Sequence, residues 1–273
     1  MRKDTEDTMS DTLSNQELLT SMTQAAHALG DTLRTQPRPR GFRTRRELLA
    51  AFQAMDGPQQ RWLRDRLSAL QPEAVWADEM DGELPRTGYV WLSDPMDGAV
   101  QFMHGHTHWC VNLTLAKDLE PLATVLYHPA LNETYAALRG HGATLNGQPL
   151  APSDKTELSA AYVITSQSAH VAKFPRDVDL AGRSLSAVLG AGAAVRNLGA
   201  TAWQVADVGG GRIDAFWLYG VDDVNLLGAT LIAQEAGARV TDVAGQPWRA
   251  GAASIVVAAP SLHAQMLAVL PRG

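Results

Sequence analysis

The chain has one cysteine in 273 residues, Cys110, which rules out an internal disulfide and gives no sign of an oxidising compartment. It also lacks long apolar runs. None approaches the roughly 18 residues that a membrane span needs, so no membrane association is expected. The start, Met1-Arg2-Lys3-Asp4-Thr5-Glu6, is charged and leads into no apolar signal core, and the expected compartment is the cytoplasm. Positive charge is short as well: 23 Lys and Arg against 29 Asp and Glu leave a formal charge of −6. A phosphate backbone needs a basic surface, so nucleic acid is not the expected partner. Repeats, low-complexity tracts, Gly-rich dinucleotide loops and P-loops are all missing. Ser166-Gln167-Ser168 and His170 form no Ser-His-Asp arrangement. What remains is 45% hydrophobic, enough to exclude a disordered protein and to bury a core.

The most informative stretch is Trp91-Leu92-Ser93-Asp94-Pro95-Met96-Asp97-Gly98-Ala99-Val100-Gln101-Phe102. Pro95 fixes its own φ and pushes Asp94 toward an extended conformation. Gly98 permits a sharp turn and brings its N–H close to a ligand. Two convergent acids beside backbone N–H groups can hold a hard cation and a phosphate together. An Asp-rich turn is the simpler reading of the run taken alone.

Residues 1–12 are polar and read as disordered. Leu18, Met22, Ala25, Ala26 and Leu29 have helical spacing within Ser14–Leu33. Helices are also expected over Thr44–Gln53 and Gly57–Leu70. Arg38, Arg40, Arg43, Arg45 and Arg46 read as a solvated basic face, with an anion-recognition patch as the alternative. From Ala74 the pattern turns to strands: Tyr89–Leu92, Trp109–Ala116, Ala123–Tyr127 and Glu133–Leu138. Asn146-Gly147 signals a hairpin. The second half alternates: strand Tyr162–Thr165, helix Thr201–Val208, strand Arg212–Leu218 and helix Leu226–Ala236. Strands Ala238–Val243 and Ser254–Ala259 follow, then a helix capped by Ser261 and reaching Leu270. The division expected is an α+β half over 13–155 and an α/β half over 156–273.

The 91–102 run resembles the first signature of the inositol monophosphatase family, W-x-x-D-P-x-D-G-T-x-N-F. Further resemblances follow in family order: Asp56, Ala77-Asp78-Glu79, and Arg139-Gly140-His141-Gly142-Ala143-Thr144-Leu145-Asn146-Gly147. Asn197-Leu198-Gly199-Ala200-Thr201-Ala202 and Glu235-Ala236-Gly237-Ala238 complete the set. The resemblance implies a layered α-β-α-β-α sandwich with the site between its halves, and a homodimer. It implies a magnesium-dependent phosphatase acting on a small phosphorylated molecule, with Mn²⁺ a plausible substitute for Mg²⁺. On this resemblance Asp94, Asp97, the Met96 carbonyl and an acid of the Asp78-Glu79 pair ligate metal. Asp78 is favoured as the ligand, with Glu79 behind it. Asp56 belongs to the catalytic set, as do Asp78 and Glu79. Gly98 and Ala99 cradle phosphate, and Gly199, Ala200 and Thr201 border the substrate.

Three departures from the pattern stand inside this site. The family's threonine after Asp-Gly is Ala99, which has no hydroxyl to pair with Asp56 in orienting water; losing such a relay costs about 10² to 10⁴-fold in rate. The family's second-metal aspartate is Asn225, a neutral ligand, with Asp222 and Asp223 just upstream as substitutes or as loop acids. A substrate-binding glutamate is replaced by Leu218, which argues against inositol phosphate, and Trp217 and Tyr219 read equally as rim or core. His104, His106 and His108 alternate and, if extended, would share one face as a zinc trio. Two functions are open at this stage. One is a divergent metal-dependent phosphomonoesterase. The other is a hydrolytically impaired or repurposed member of the fold that binds a ligand or partner or runs a different reaction.

Overall fold

A computed structural model describes residues 4–77, 84–168 and 170–272, with side chains from Gln16 onward. Helices α1 (Asp4–Thr35) and α2 (Arg45–Leu67) precede the first sheet. Residues 4–12, polar by composition and read as disordered, continue α1 as helix. Thr44 starts α2 with a capping box, its hydroxyl accepting the Glu47 N–H while Glu47 accepts the Thr44 N–H. Gly57-Pro58 does not divide this helix. Gln60, Leu63 and Leu67 form one buried stripe that holds it together through the proline.

The first sheet is β1 (Val75–Ala77), β2 (Tyr89–Asp97), β3 (Cys110–Lys117), β4 (Glu120–His128), β5 (Glu133–Leu138), β6 (Ala143–Leu145) and β7 (Gln148–Pro149), in sequence order. Only the β1–β2 pair is parallel. Between β2 and β3 lies the short helix α3 (Ala99–Met103). Asn146 and Gly147 both take positive φ, as a tight hairpin requires, and the Asn146 amide oxygen accepts the Thr134 N–H.

The second sheet has the order β11 (Arg239–Thr241), β12 (Ser254–Ala258), β10 (Ala215–Tyr219), β8 (Tyr162–Thr165), β9 (Ala194–Asn197). Here β8 runs parallel to both β9 and β10. The helices of this half are α4 (Pro175–Gly190), α5 (Thr201–Gly209), α6 (Asp223–Glu235) and α7 (Pro260–Val269). Ser261 does not cap α7; the helix starts one residue earlier at Pro260, and the Ser261 hydroxyl donates to the Lys155 carbonyl.

Three cores stack through the protein. α1 and α2 pack on one face of the first sheet around Met22, Leu63, Trp91 and Val111. α5 and α6 fill the space between the sheets, joining Leu126 and Tyr135 to Phe216 and Val257. α4 and α7 cover the outer face of the second sheet around Trp217 and Val256. The layers are therefore α-β-α-β-α. In the middle layer α6 lies so close to the first sheet that a Cβ on Gly228 would stand 1.9 Å from Thr114 Oγ1 and 2.4 Å from Thr124 Oγ1. Two resembling segments meet near the far end of α6. The Glu235 carboxylate accepts the N–H groups of Gly140 and Gly142 at 2.7 and 2.8 Å.

Candidate active site

A cavity of about 430 Å³ opens where β2 ends and where β8, β9 and β10 present their carboxyl ends. Asp94, Asp97, Gly98 and Ala99 line it from the first half, and Ser166–Ser168, Asn197–Thr201, Asp222 and Asn225 from the second. Ligand crevices form at the carboxyl ends of parallel strands because successive connections diverge there.

Asp94 and Asp97 are both deeply buried, at 6% and 3% exposure. Pairing of β2 with β3 shifts register between them: Asp94 pairs with Asn112 and Asp97 with Cys110, while Pro95 and Met96 fall outside the ladder. Asp94 Oδ1 accepts the N–H of Met96 at 2.8 Å, closing a turn around Pro95. Asp97 reaches across the cleft to accept the N–H of Thr201 at 3.1 Å and of Ala202 at 2.8 Å. Helix α5 starts at Ala200 without a side-chain cap of its own, so a distant carboxylate satisfies its first N–H groups. Gly98 adopts φ 89°, and a Cβ there would lie 2.7 Å from the His108 carbonyl oxygen. Only glycine fits that turn. Gln101 lies between the two halves at this point; with its amide turned to face donors and acceptors correctly, it donates to Gly98 O and accepts from Gly199 N, each at 3.2 Å.

Helix α2 is locked to β2 next door. Gln60 Nε2 donates to the Ser93 carbonyl at 3.2 Å, and Ser93 Oγ donates to Gln60 Oε1 at 2.6 Å. Asp56 lies four residues before Gln60 on the same face of α2, half-buried. On the other wall, Asn225 Nδ2 donates to Asp222 Oδ1 at 3.1 Å, and both side chains are buried. Asp223 points away, accepting the Gly251 N–H at 2.8 and 2.9 Å, and its burial raises its pKa. Cys110 donates to Asp97 Oδ2 at 3.7 Å; burial, then the charges of Asp97 and Asp94, push its thiol well above the usual range. It is a packing residue.

Asp78 and Glu79 lie outside the described residues. Met96 is fully buried and does not border the cavity among the described residues. Leu218 is fully buried in the middle core, because β10 lies between β8 and β12 and is covered on both faces. Trp217 and Tyr219 are also buried; Trp217 Nε1 donates to Ser184 Oγ and Tyr219 Oη to the Pro271 carbonyl. The three histidines do not share a face. Helix α3 ends at Met103, a turn follows at His104-Gly105, and His104 packs edge-on against Phe42. Among the described residues, no three His, Cys, Asp or Glu side chains are grouped closely enough to hold a metal. Nor is any helix there long and apolar enough to cross a membrane.

The wall formed by Ser166, Gln167, Ser168 and Asn197 escaped the sequence reading. Its signal was positional: these residues directly follow β8 and close β9, and only the parallel pairing gives that position meaning.

Residues 48–272 match the inositol monophosphatase family. The chain belongs to that family. An inositol-1-monophosphatase of Rhizobium meliloti is 31% identical over 200 residues, covering 72% of this chain and 74% of that protein. The Nus factor SuhB of Pseudomonas aeruginosa is 33% identical over 186 residues, covering 65% of this chain and 66% of that one. Among solved structures, the inositol monophosphatase of Anabaena superposes with a TM-score of 0.79 at 25% identity, covering 93% of this chain and 95% of that one.

Proposed function

We propose that this family member is a metal-dependent phosphomonoesterase acting on a small phosphorylated metabolite other than inositol phosphate. One observation carries the reading: three buried carboxylates, Asp94, Asp97 and Asp222, border a single cavity together with Gly98 and Ala99. The other lining side chains among the described residues are neutral, so the described wall is acidic and suited to hard cations rather than to a bare phosphate. Asp94 and Asp97 are hard oxygen donors of the kind that Mg²⁺, or Mn²⁺ in its place, takes. The described side chains alone do not form a complete metal-holding group, and Asp78 would have to complete it. Asp94 and Asp97 would hold the cation, joined by the Met96 carbonyl and by Asp78, with Asn225 and Asp222 on the opposite wall. A cation there offsets the charge of the phosphate dianion and acidifies an attacking water.

The residues of the chain supply the rest. The Gly98 and Ala99 N–H groups orient phosphate oxygens, while Thr201 Oγ1 and Ser166 Oγ, 3.1 Å apart, border the organic part with Gly199 and Ala200. With Ala99 in place of a hydroxyl, water is oriented by Asp56 and by the Asp78-Glu79 acids alone. Leu218 offers no acceptor to a ring hydroxyl, and the amides of Gln167 and Asn197, 3.1 Å apart, form the polar wall instead.

A second reading, a binding protein with little hydrolysis left, is favoured by Ala99 and Asn225 and by the likeness to a Nus factor. Phosphate release from a panel of small phosphomonoesters with Mg²⁺ or Mn²⁺, beside an Asp94→Asn control, separates the two. Release that the control abolishes supports the phosphatase; release no greater than the control on every substrate leaves the binding reading.

A further inference from the structure

The strap between α1 and α2, Gln36-Pro37-Arg38-Pro39-Arg40-Gly41-Phe42-Arg43, has no regular structure. Pro37 and Pro39 fix φ on either side of Arg38 and favour an extended course, so Arg38 is carried on a stiff support. With Met103-His104-Gly105 at the end of α3, the strap walls a cavity of about 580 Å³. Arg38, Arg40 and His104 line it, and among the described residues no carboxylate does. Arg43, Arg45 and Arg46, grouped with them in the sequence, are exposed and lie outside it.

Arg38 is held in place but not neutralised. Its guanidinium lies over the buried Phe102 ring, 5.0 Å from the centroid, and a Cβ on Gly105 would stand 3.6 Å from its Nη1. The ring and the bare backbone of Gly105 fix the plane of the fork. Arg34, Arg139, Arg183, Arg212 and Arg249 each face a carboxylate, whereas Arg38 and Arg40 face none among the described residues. His104 completes the wall, packed edge-on against Phe42 at 5.5 Å. Two cations on a concave wall without an acid concentrate positive potential. A half-buried guanidinium with open donors is matched by an oxyanion that accepts two parallel hydrogen bonds. The cleft bordered by Asp94, Asp97 and Asp222 has the opposite sign.

We propose that Arg38, Arg40 and His104 form a second site, which takes the phosphate or carboxylate group of a small molecule. This site does not depend on the chain being a phosphatase. Val100, which lines the acidic cleft and is 61% exposed, lies one turn before His104, whose N–H donates to the Val100 carbonyl at 3.1 Å. The rise between these two residues is about 6 Å. One molecule can cross that ridge, so the anion is either the far end of a phosphate ester seated in the cleft or a separate ion.

Inorganic pyrophosphate is the first probe, added to the full chain after metal has been stripped on a chelating resin, because the metal-free cleft is acidic and repels it. Calorimetric titration should show one site. Arg38→Gln should weaken it about tenfold or more and Arg40→Gln several-fold. Arg43→Gln, which removes the same charge outside the cavity, should weaken it less than twofold. Arg38→Lys, which keeps the charge without the fork, should recover only part of the loss. No pyrophosphate binding, or equal losses in Arg38→Gln and Arg43→Gln, overturns the site. Heparin bound where pyrophosphate is not would make an acidic macromolecule the occupant, which also overturns it. A second arm, with Mg²⁺ present and resting on the phosphatase reading, compares hexane-1,6-diyl bisphosphate with hexyl phosphate. A lower KM for the bisphosphate that Arg38→Gln abolishes identifies the far end of the ester as the anion. No such advantage, with pyrophosphate still bound through Arg38, identifies a separate ion. No turnover of either ester beside Arg38-dependent pyrophosphate binding removes the phosphatase reading and keeps this site.

Discussion

Asp97 Oδ2 accepts the backbone N–H of Ala202 at 2.8 Å, joining the end of β2 to the first turn of α5. The same carboxylate is therefore a proposed metal ligand and the cap of a helix in the other half of the chain. Asp97→Asn keeps one acceptor oxygen but loses the charge and turns an N–H toward Thr201. The expected outcome is a turnover loss of about 10³-fold, from several kcal/mol of lost charge stabilisation. A stability loss of about 1 kcal/mol should accompany it in chelator, read by denaturant unfolding. An inactive variant of unchanged stability would separate the two roles.

The Gln60–Ser93 pair predicts a purely mechanical effect. Gln60→Leu preserves the volume of a buried side chain but leaves the Ser93 carbonyl and hydroxyl without that partner. Stability should fall by about 1–3 kcal/mol, measured as a lower midpoint in urea at constant slope.

Much of the fold was legible where the signal is local. Glu133–Leu138 and Tyr162–Thr165 are strands over the residues expected, because β-rich runs bounded by turn residues admit few alternatives. Asn146-Gly147 encodes its own turn. Helix α4 was missed although Leu180, Ser184 and Val188 recur at helical spacing on its buried face. Strand β9 has one buried residue in four, too little for any period to show. The acids around Pro95 could be read from their spacing. The opposite wall, Ser166 to Ser168, could not, since it exists only once β8 pairs in parallel with β9 and β10.

Asn225→Asp tests the second wall. The exchange converts an amide-to-carboxylate hydrogen bond at 3.1 Å into contact between two acids. In chelator the variant should melt lower by on the order of 5 °C, through like-charge repulsion. Mg²⁺ should restore it beyond the parent, and its apparent Mg²⁺ affinity in a melting titration should exceed the parent's. Identical melting curves with and without Mg²⁺ would count against a cation at this wall.

Asp207 and His128 predict opposite pH slopes. Burial raises the Asp207 pKa from 3.8 to about 6, against a lowering by the Tyr135 hydrogen bond and the Arg212 charge. Folded chains thus hold that proton more tightly than unfolded ones, and the stabilisation present below pH 3.8 is lost as pH rises through about 6. His128 is shifted the other way, from 6.5 to about 4, chiefly by burial and with His108, Glu133 and Arg212 as charged neighbours. Its stabilisation is present above 6.5 and is lost as pH falls toward 4. The two offset each other between pH 4 and 6. His128→Phe should leave stability falling with pH across that window, and Asp207→Asn should leave it rising, both read from urea midpoints. Parallel profiles for the two variants would refute the assignment.

The contact of Gly228 with Thr114 and Thr124 has a consequence for how this scaffold diversifies. Asn225 sits one turn earlier on the same helix, so its distance from the first sheet is set by a packing contact that tolerates no added atom. The two walls of the cleft behave like jaws locked at a fixed gauge. Side chains can be exchanged on either face while the opening between them keeps its width.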